Sequence, residues 1–298
     1  MLIHEIVDYC DREYNNANPQ CQCKDCNHPF ECSGNCKNCL EQVHYPYRYP
    51  DGKHDYDCQN MLNFYVCDYI NKYASEMLYL LRKSEKLQEI DEYHILSIGC
   101  GAAPDLMAFE QYVLETDEEK EIKYFGIDKN DLWNDIHHEI REYFSDIITH
   151  SNFEYEDVME YFKSNAIKST NVIVFQYVIS HFYNTNQIQY IQDFFMNIVD
   201  KVVEKKSPHE PIVILINDTN SCYRGRSFFM DLKDILQNNG YHGTYKSFYF
   251  DHNIQNPAQR YGEKHVCKQC LFDLSDFDLR QYEPWSKCSA AQLLIEIE

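Results

Sequence analysis

From residue 94 onward the chain alternates short apolar runs with amphipathic stretches, and few folds accept that rhythm. "HILSIG" (94–99), "IKYFGID" (122–128), "NFEYEDV" (152–158), "NVIVFQYV" (171–178) and "PIVILIND" (211–218) read as strands. Between and after them, residues 104–116, 130–144, 157–165, 186–205 and 226–238 carry helical periodicity. A further strand is predicted near 243–250, and "QLLIEIE" (292–298) closes the chain as a last one. Strands joined through helices imply a mostly parallel sheet covered on both faces, a doubly wound α/β fold. Before this region, Met61, Leu62, Tyr65, Tyr69, Tyr73, Met77, Leu78 and Leu81 recur at helical spacing and predict one long helix whose apolar stripe needs a partner.

In a doubly wound sheet the ligand lies beyond the carboxyl ends of the strands, where the first strand, turn and helix bring bare backbone close to it. Here that turn is "GCGAAP" (99–104). Gly99 and Gly101 leave no side chain in the way, Ala102 and Ala103 keep the surface low, and Pro104 suits a first helical position. Asp128 ends the second strand, where a carboxylate can accept both hydroxyls of a ribose, and Asp157 follows the third, where an adenine amino group can donate to it. Either acid alone reads as a helix cap or a solvated strand end. At successive strand tips beside a glycine turn, they favour an adenosine-bearing ligand.

These stretches resemble the class I S-adenosylmethionine-dependent methyltransferases: "ILSIGCGAAPDL" for the first motif, "YFGID" for the second, "FEYEDVMEYF" for the third and "NVIVFQYVISHFY" for the fourth. The resemblance spans about residues 60–250 and again 291–298. It implies a seven-stranded, mostly parallel Rossmann-like sheet with the final strand inserted antiparallel. It also implies that Gly99, Cys100 and Gly101 line the methionine moiety of S-adenosylmethionine, that Asp128 holds the ribose, and that Asp157 and the backbone of Val158 read adenine. Gln176 and Tyr177 would flank methyl donor and acceptor. Two positions depart from the pattern. Ser97 stands where the family often has an acid, which weakens the expectation of how the ligand's amino group is held, and Ala103 replaces a third glycine.

The fourth motif lacks the Asn/Asp-Pro-Pro-aromatic pattern of enzymes that methylate exocyclic amino groups of bases, so that substrate class is not expected. His181 is a candidate general base provided its pKa stays near neutral, set against a purely structural role. Transfer from a sulfonium can proceed by alignment alone. After the fifth strand, "NDTNSCYRGRSFF" (217–229) faces the same crevice, making Asp218, Asn220, Tyr223, Arg224 and Arg226 candidates for substrate contact; an arginine pair suits a carboxylate or phosphate.

The first 57 residues read differently. "CQCKDCNHPFECSGNCKNC" (21–39) packs Cys21, Cys23, Cys26, Cys32, Cys36 and Cys39 into nineteen positions, and eight of the chain's 14 cysteines precede residue 60. Close thiolate pairs suit tetrahedral zinc at small loop-entropy cost. Residues 1–57 are therefore expected to form a metal-binding segment without an ordinary apolar core, and 58–298 the main domain with an insertion at about 251–288. A rival is a [4Fe–4S] cluster on the C-x3-C-x2-C of Cys32, Cys36 and Cys39, as in radical S-adenosylmethionine enzymes, although Asn38 sits where those are aromatic. Cys267 and Cys270, with His265, form half of another such site.

A net charge of −21 over 298 residues opposes general adhesion to nucleic acid or anionic membrane. No long apolar run or signal-like N-terminus is present, which predicts a soluble cytoplasmic protein. The expected activity is methyl transfer to a small molecule, peptide or protein. A non-catalytic adenosyl-ligand or protein-interaction module is the alternative, and a nicotinamide dehydrogenase is disfavoured by the missing third glycine.

Overall fold

A computed structural model describes residues 1–16, 35–116, 119–165, 167, 170–205, 210–251 and 260–298. Its centre is a sheet of β1 (Glu92–Ile98), β2 (Glu121–Ile127), β3 (Ile148–Glu154), β4 (Val172–Gln176), β5 (Ile212–Thr219), β6 (Gly243–Tyr249), β7 (Glu263–Lys264) and β8 (Ala290–Ile297). The order is β3-β2-β1-β4-β5-β8-β6-β7. Strands β3, β2, β1, β4 and β5 pair in parallel, and β8 runs antiparallel between β5 and β6. The order reverses between β1 and β4, which opens a crevice at their carboxyl ends. The expected doubly wound fold and inserted last strand are present. The sheet has eight strands rather than seven, because two residues of the 251–288 insertion pair with β6.

Both faces of the sheet are covered, and strand parity assigns each side chain to a face. On β5, Val213 and Leu215 join one apolar cluster, while Ile212, Ile214 and Ile216 join the other. The first cluster is closed by α1 (Leu2–Asn16), α3 (Gln59–Leu81), α4 (Pro104–Thr116) and α5 (Asn134–Glu142), with α2 (Cys36–His44) packed on α3. The second is closed by α6 (Val158–Ser164), α7 (Val178–Asn184), α8 (Ile191–Lys201) and α9 (Phe229–Asn238). Among the described residues no helix is long and apolar enough to cross a membrane.

Three sequence expectations are corrected here. Residues 1–16 do have an ordinary core: Leu2, Ile3, Ile6, Val7 and Cys10 form a helical stripe buried on α3, a pattern the neighbouring cysteine density obscures. The third strand lies earlier than 152–158, at Ile148–Glu154. The helix expected over 186–205 begins at Ile191, and a separate α7 starts at Val178, because Tyr177 and Asn186 both adopt left-handed backbone (φ +60° and +58°), interrupting first the strand and then the helix.

Glu76 of α3 fastens this architecture. Its side chain has no solvent exposure. One carboxylate oxygen accepts from the Ser289 and Ala290 amides (2.6 and 3.2 Å) at the start of β8. The other accepts from the Tyr177 hydroxyl (2.8 Å) and from Asn217 Nδ2 of β5 (3.0 Å), while Lys72 Nζ lies 3.7 Å from the first oxygen. Gln292 Nε2 donates to the Glu76 carbonyl and to Asn217 Oδ1 (2.6 and 2.8 Å), while its Oε1 meets His265 Nε2 at 2.7 Å. A buried carboxylate with this many donors is costly to remove, because every donor is left without an acceptor.

Replacing Glu76 with alanine is expected to lower unfolding free energy by about 3–5 kcal/mol in urea titration, since Lys72 and four donors then lose their partner. Glu76→Gln is expected to be milder yet still destabilising, because its amide nitrogen faces groups that can only donate or prefer to. An unchanged midpoint in both variants would remove Glu76 from this role.

Candidate functional site

The crevice at the β1/β4 switch is narrow, with a cavity volume of about 40 Å³. Its floor is the turn after β1. Gly99 and Gly101 adopt φ +62° and +50°, and Ala103 adopts +54°, so the turn runs through left-handed backbone at three positions. At Gly99 this is coupled to close packing, since a Cβ there would lie 2.8 Å from Val178 Cγ2. The Gly99 and Cys100 amides donate to the Ile127 carbonyl, tying the turn to the end of β2.

Asp128 braces the same turn. One of its oxygens accepts from the Gly101 amide (2.9 Å) and the other from the Asn130 amide (3.0 Å). Burial pushes its pKa up, and those two amides oppose the rise. His137 of α5, absent from the sequence reading, holds the other side. Its Nε2 donates to the Gly101 carbonyl (2.7 Å), Nδ1 meets the Tyr155 hydroxyl (2.9 Å), and the ring stacks on Phe153 at 3.7 Å between centroids. Burial lowers its pKa to about 4, so the ring is neutral near pH 7. The Cys100 thiol is buried and pushed well up, which leaves it protonated.

Asp105, also missed by the sequence reading, stands one helical position past Pro104 and lines the crevice beside Ser97. Its Oδ1 accepts from the Tyr124 hydroxyl (3.0 Å), whereas its buried Oδ2 has no hydrogen-bond partner among the described residues. Burial raises its pKa to about 6, partly offset by hydrogen bonding from Ser97 and Tyr124. It places a carboxylate beside Ser97 in the crevice. Only the register of the first helical turn, which the sequence pattern did contain, signalled it.

The walls are aromatic. Tyr65, Tyr69 and Tyr73 succeed one another along α3 with near-parallel rings 5.3 and 5.4 Å apart, and Tyr73 continues to Tyr177 at 4.5 Å. Tyr65, Tyr73 and Tyr177 all line the crevice. Part of the stripe predicted to seek a core partner thus faces the site. Gln176 Nε2 donates to the Tyr73 carbonyl (2.8 Å), while its buried Oε1 has no partner among the described residues. The Tyr177 hydroxyl is fixed between Glu76 and Lys72 Nζ (3.1 Å), and burial together with Glu76 keeps it protonated.

Other predicted residues fall elsewhere. Asp157, like Asp128, is not among the residues that line the crevice; it caps α6 through the Met159 amide (2.9 Å), and Val158 packs in the second apolar cluster. His181 has its pKa lowered to about 4 by burial and then by Lys129, so the near-neutral condition on a general base is not met. Asp218 accepts from the Ser180 amide (3.0 Å) and holds the start of α7. Arg226 is buried, bonded to Cys222 Sγ and set over Tyr261, whereas Arg224 lies over Tyr47 and Tyr183, and Tyr223 is exposed. The predicted arginine pair is therefore split.

Cys36 and Cys39 occupy the first turn of α2 and are buried; Cys21, Cys23, Cys26 and Cys32 lie outside the described residues. Among the described residues no group of three or more His, Cys, Asp or Glu side chains is arranged to hold a metal ion. His265 turns inward to Gln292 and stacks on Phe250, and Cys270 Sγ donates to the Trp285 carbonyl, so the half-site of Cys267, Cys270 and His265 does not assemble.

No protein-family model matches the chain, and no curated protein matches it in sequence. Among solved structures it is similar to a plantazolicin methyltransferase, BpumL, in complex with SAH (13% identity, 88% of this chain and 97% of that one, TM-score 0.42). It is also similar to a putative class I S-adenosylmethionine-dependent methyltransferase from Listeria monocytogenes (11%, 99% and 88%, TM-score 0.47). A third is M. capricolum TrmK with S-adenosyl-homocysteine (13%, 72% and 68%, TM-score 0.37). At such identities and TM-scores the assignment of fold rests on this chain's own strand order.

Gly99→Ala is expected to cost about 1–2 kcal/mol of stability, because alanine resists φ +62° and its methyl meets Val178. Thermal unfolding of the variant checks this, and a wild-type melting temperature would show that the turn relaxes freely.

Proposed function

We propose that the chain binds S-adenosylmethionine in the crevice and transfers its methyl group to a small acceptor. The single observation that carries this is the buried, unpartnered Oδ2 of Asp105 facing a bare-backbone turn. An uncompensated carboxylate oxygen in a pocket calls for a cationic or donor group, and the amino group of the methionine moiety is one. Asp128 at the tip of β2 has lone-pair capacity left for a ribose hydroxyl after its two amide bonds. The faces of Tyr65, Tyr73 and Tyr177 suit a positively charged sulfur. When bound, the sulfonium supplies an electrophilic methyl carbon.

What the protein's own groups contribute is position. Tyr177, locked by Glu76 and Lys72, and Gln176, locked by Tyr73, form the wall between donor and acceptor. Neither His137 nor His181 can hold a proton near neutral pH, which favours alignment over a dedicated base. Zinc on Cys21, Cys23, Cys26, Cys32, Cys36 and Cys39 remains a second element of the proposal, supported by the adjacent buried pair on α2. Plasma mass spectrometry of protein purified without chelator is expected to return roughly one or two zinc ions per chain. Absence of zinc, or a brown protein carrying iron, sinks that element.

Calorimetry with S-adenosylhomocysteine tests the main reading. Binding is expected, with Asp128→Ala weakening it by about tenfold or more. Because a cation binds only ionised Asp105, affinity should fall as pH drops through about 6, approaching tenfold per pH unit. Asp105→Asn should abolish that pH dependence. No binding by the wild type, or a pH profile that survives Asp105→Asn, overturns the assignment.

A further inference from the structure

Two arginines meet tyrosine rings between the turn after α2 and the loop after β5, on a molecule whose net charge is −21. Arg224, in the loop after β5, sits over the Tyr47 ring at 4.4 Å and near the Tyr183 ring at 5.7 Å. Arg48, in the turn that follows α2, sits over Tyr45 at 4.8 Å and over the same Tyr47 ring at 5.5 Å. Two guanidiniums therefore converge on one tyrosine from segments far apart in sequence. Among the described residues neither has a carboxylate partner, in contrast to Arg12, Arg82 and Arg280, each of which is paired with an acid. In a chain with 48 acidic and 27 basic side chains, two arginines set on one ring without a carboxylate partner among the described residues need an explanation.

Resting on the reading above, we propose that Arg48 and Arg224 form a clamp for a carboxylate on a small, flat acceptor. Each guanidinium has an aromatic ring within 4.4 to 4.8 Å and carries a fork of N–H donors that matches a planar carboxylate. Tyr47 and Tyr183, 55% and 41% exposed, offer faces on which a flat ligand stacks. The position fits an acceptor. Tyr183 lies on α7 roughly 9 Å along the helix from Tyr177, the residue that walls the crevice. Asp218, at the base of the Arg224 loop, is bonded to the first turn of the same helix. The field of the whole molecule repels a polyanion, so the clamp suits a single small anion. Arg48 replaces Arg226, whose side chain is buried, as the partner of Arg224.

The probes are benzoate, its neutral isostere benzamide, and inorganic phosphate, each titrated by ligand-observed NMR into protein with and without S-adenosylhomocysteine. Benzoate is expected to bind at least about tenfold tighter than benzamide and tighter than phosphate. Arg224→Met and Arg48→Met should each weaken benzoate by about tenfold, while the remote control Arg82→Met leaves it unchanged. Affinity for S-adenosylhomocysteine, measured by calorimetry, should be the same in wild type and both clamp variants. Equal binding of benzoate and benzamide overturns the clamp, as does equal weakening by Arg82→Met. Tighter phosphate binding overturns its preference for a planar group. Parallel loss of S-adenosylhomocysteine affinity would assign the arginines to the donor's own carboxylate instead. If the nucleoside binds to no form of the protein, the proposed activity fails separately, and titration of the nucleoside-free protein still reads the clamp.

Discussion

A single buried carboxylate ties the site to the fold. Glu76 collects donors from three places that the chain reaches at very different times: the start of β8, the end of β5 and the residue after β4. In a low-dielectric interior such a group is tolerated only when its hydrogen bonds are complete. Completing them requires that α3, the closing strand and Tyr177 all be in place together. The left-handed backbone of Tyr177, unfavourable for a bulky residue, is held at its amide by Asn217 and at its hydroxyl by Glu76. Strain at the pocket wall is thereby offset by a bond network outside the pocket.

The same economy of parts governs the turn after β1. Gly99, Gly101 and Ala103 bend the chain through left-handed backbone, and the resulting groups are spoken for by Ile127, Asp128 and His137. What is left without a partner at the crevice, among the described residues, is on side chains: Oδ2 of Asp105 and Oε1 of Gln176. Native interiors rarely leave such atoms unpaired, and both of these border one cavity. The chemistry that the cavity asks for is a donor or cation at one end and a donor near the fourth strand.

How far the sequence could be read follows from what each signal depends on. The strands were legible because apolar runs buried on both faces leave no competing interpretation, and α4 was predicted at 104–116, where it lies. Asp128 was placed by its position at a strand tip, which local pattern determines. Asp157 sat at an equally suggestive tip and proved to be a cap, because nothing in the sequence tells whether an acid faces a crevice or its own helix. Asp105 and His137 were not singled out, for the opposite reason. Their roles come from packing against Tyr124, Phe153 and the Gly101 carbonyl, contacts set by tertiary structure. The stripe of α3 was seen, yet its Tyr65 and Tyr73 were read as core, since periodicity reports that a face is covered and not by what.

The N-terminal helices give the last step. Cysteine spacing drew the sequence reading toward metal, while the apolar stripe of α1 and the aromatic residues after α2 supply the described structure with a wall and a rim. His44 at the end of α2 packs edge-on against Tyr56, Tyr65 and Tyr69, and burial lowers its pKa to about 4, so it serves as a neutral ring in the stack. His44, His137 and His181 are all held neutral, with desolvation the leading cause for each. The crevice itself is lined by the rings of Tyr65, Tyr73 and Tyr177. On the proposed reading its selectivity comes from charged groups: Asp105 on the donor side, and Arg48 and Arg224, which have no carboxylate partner among the described residues, on the acceptor side.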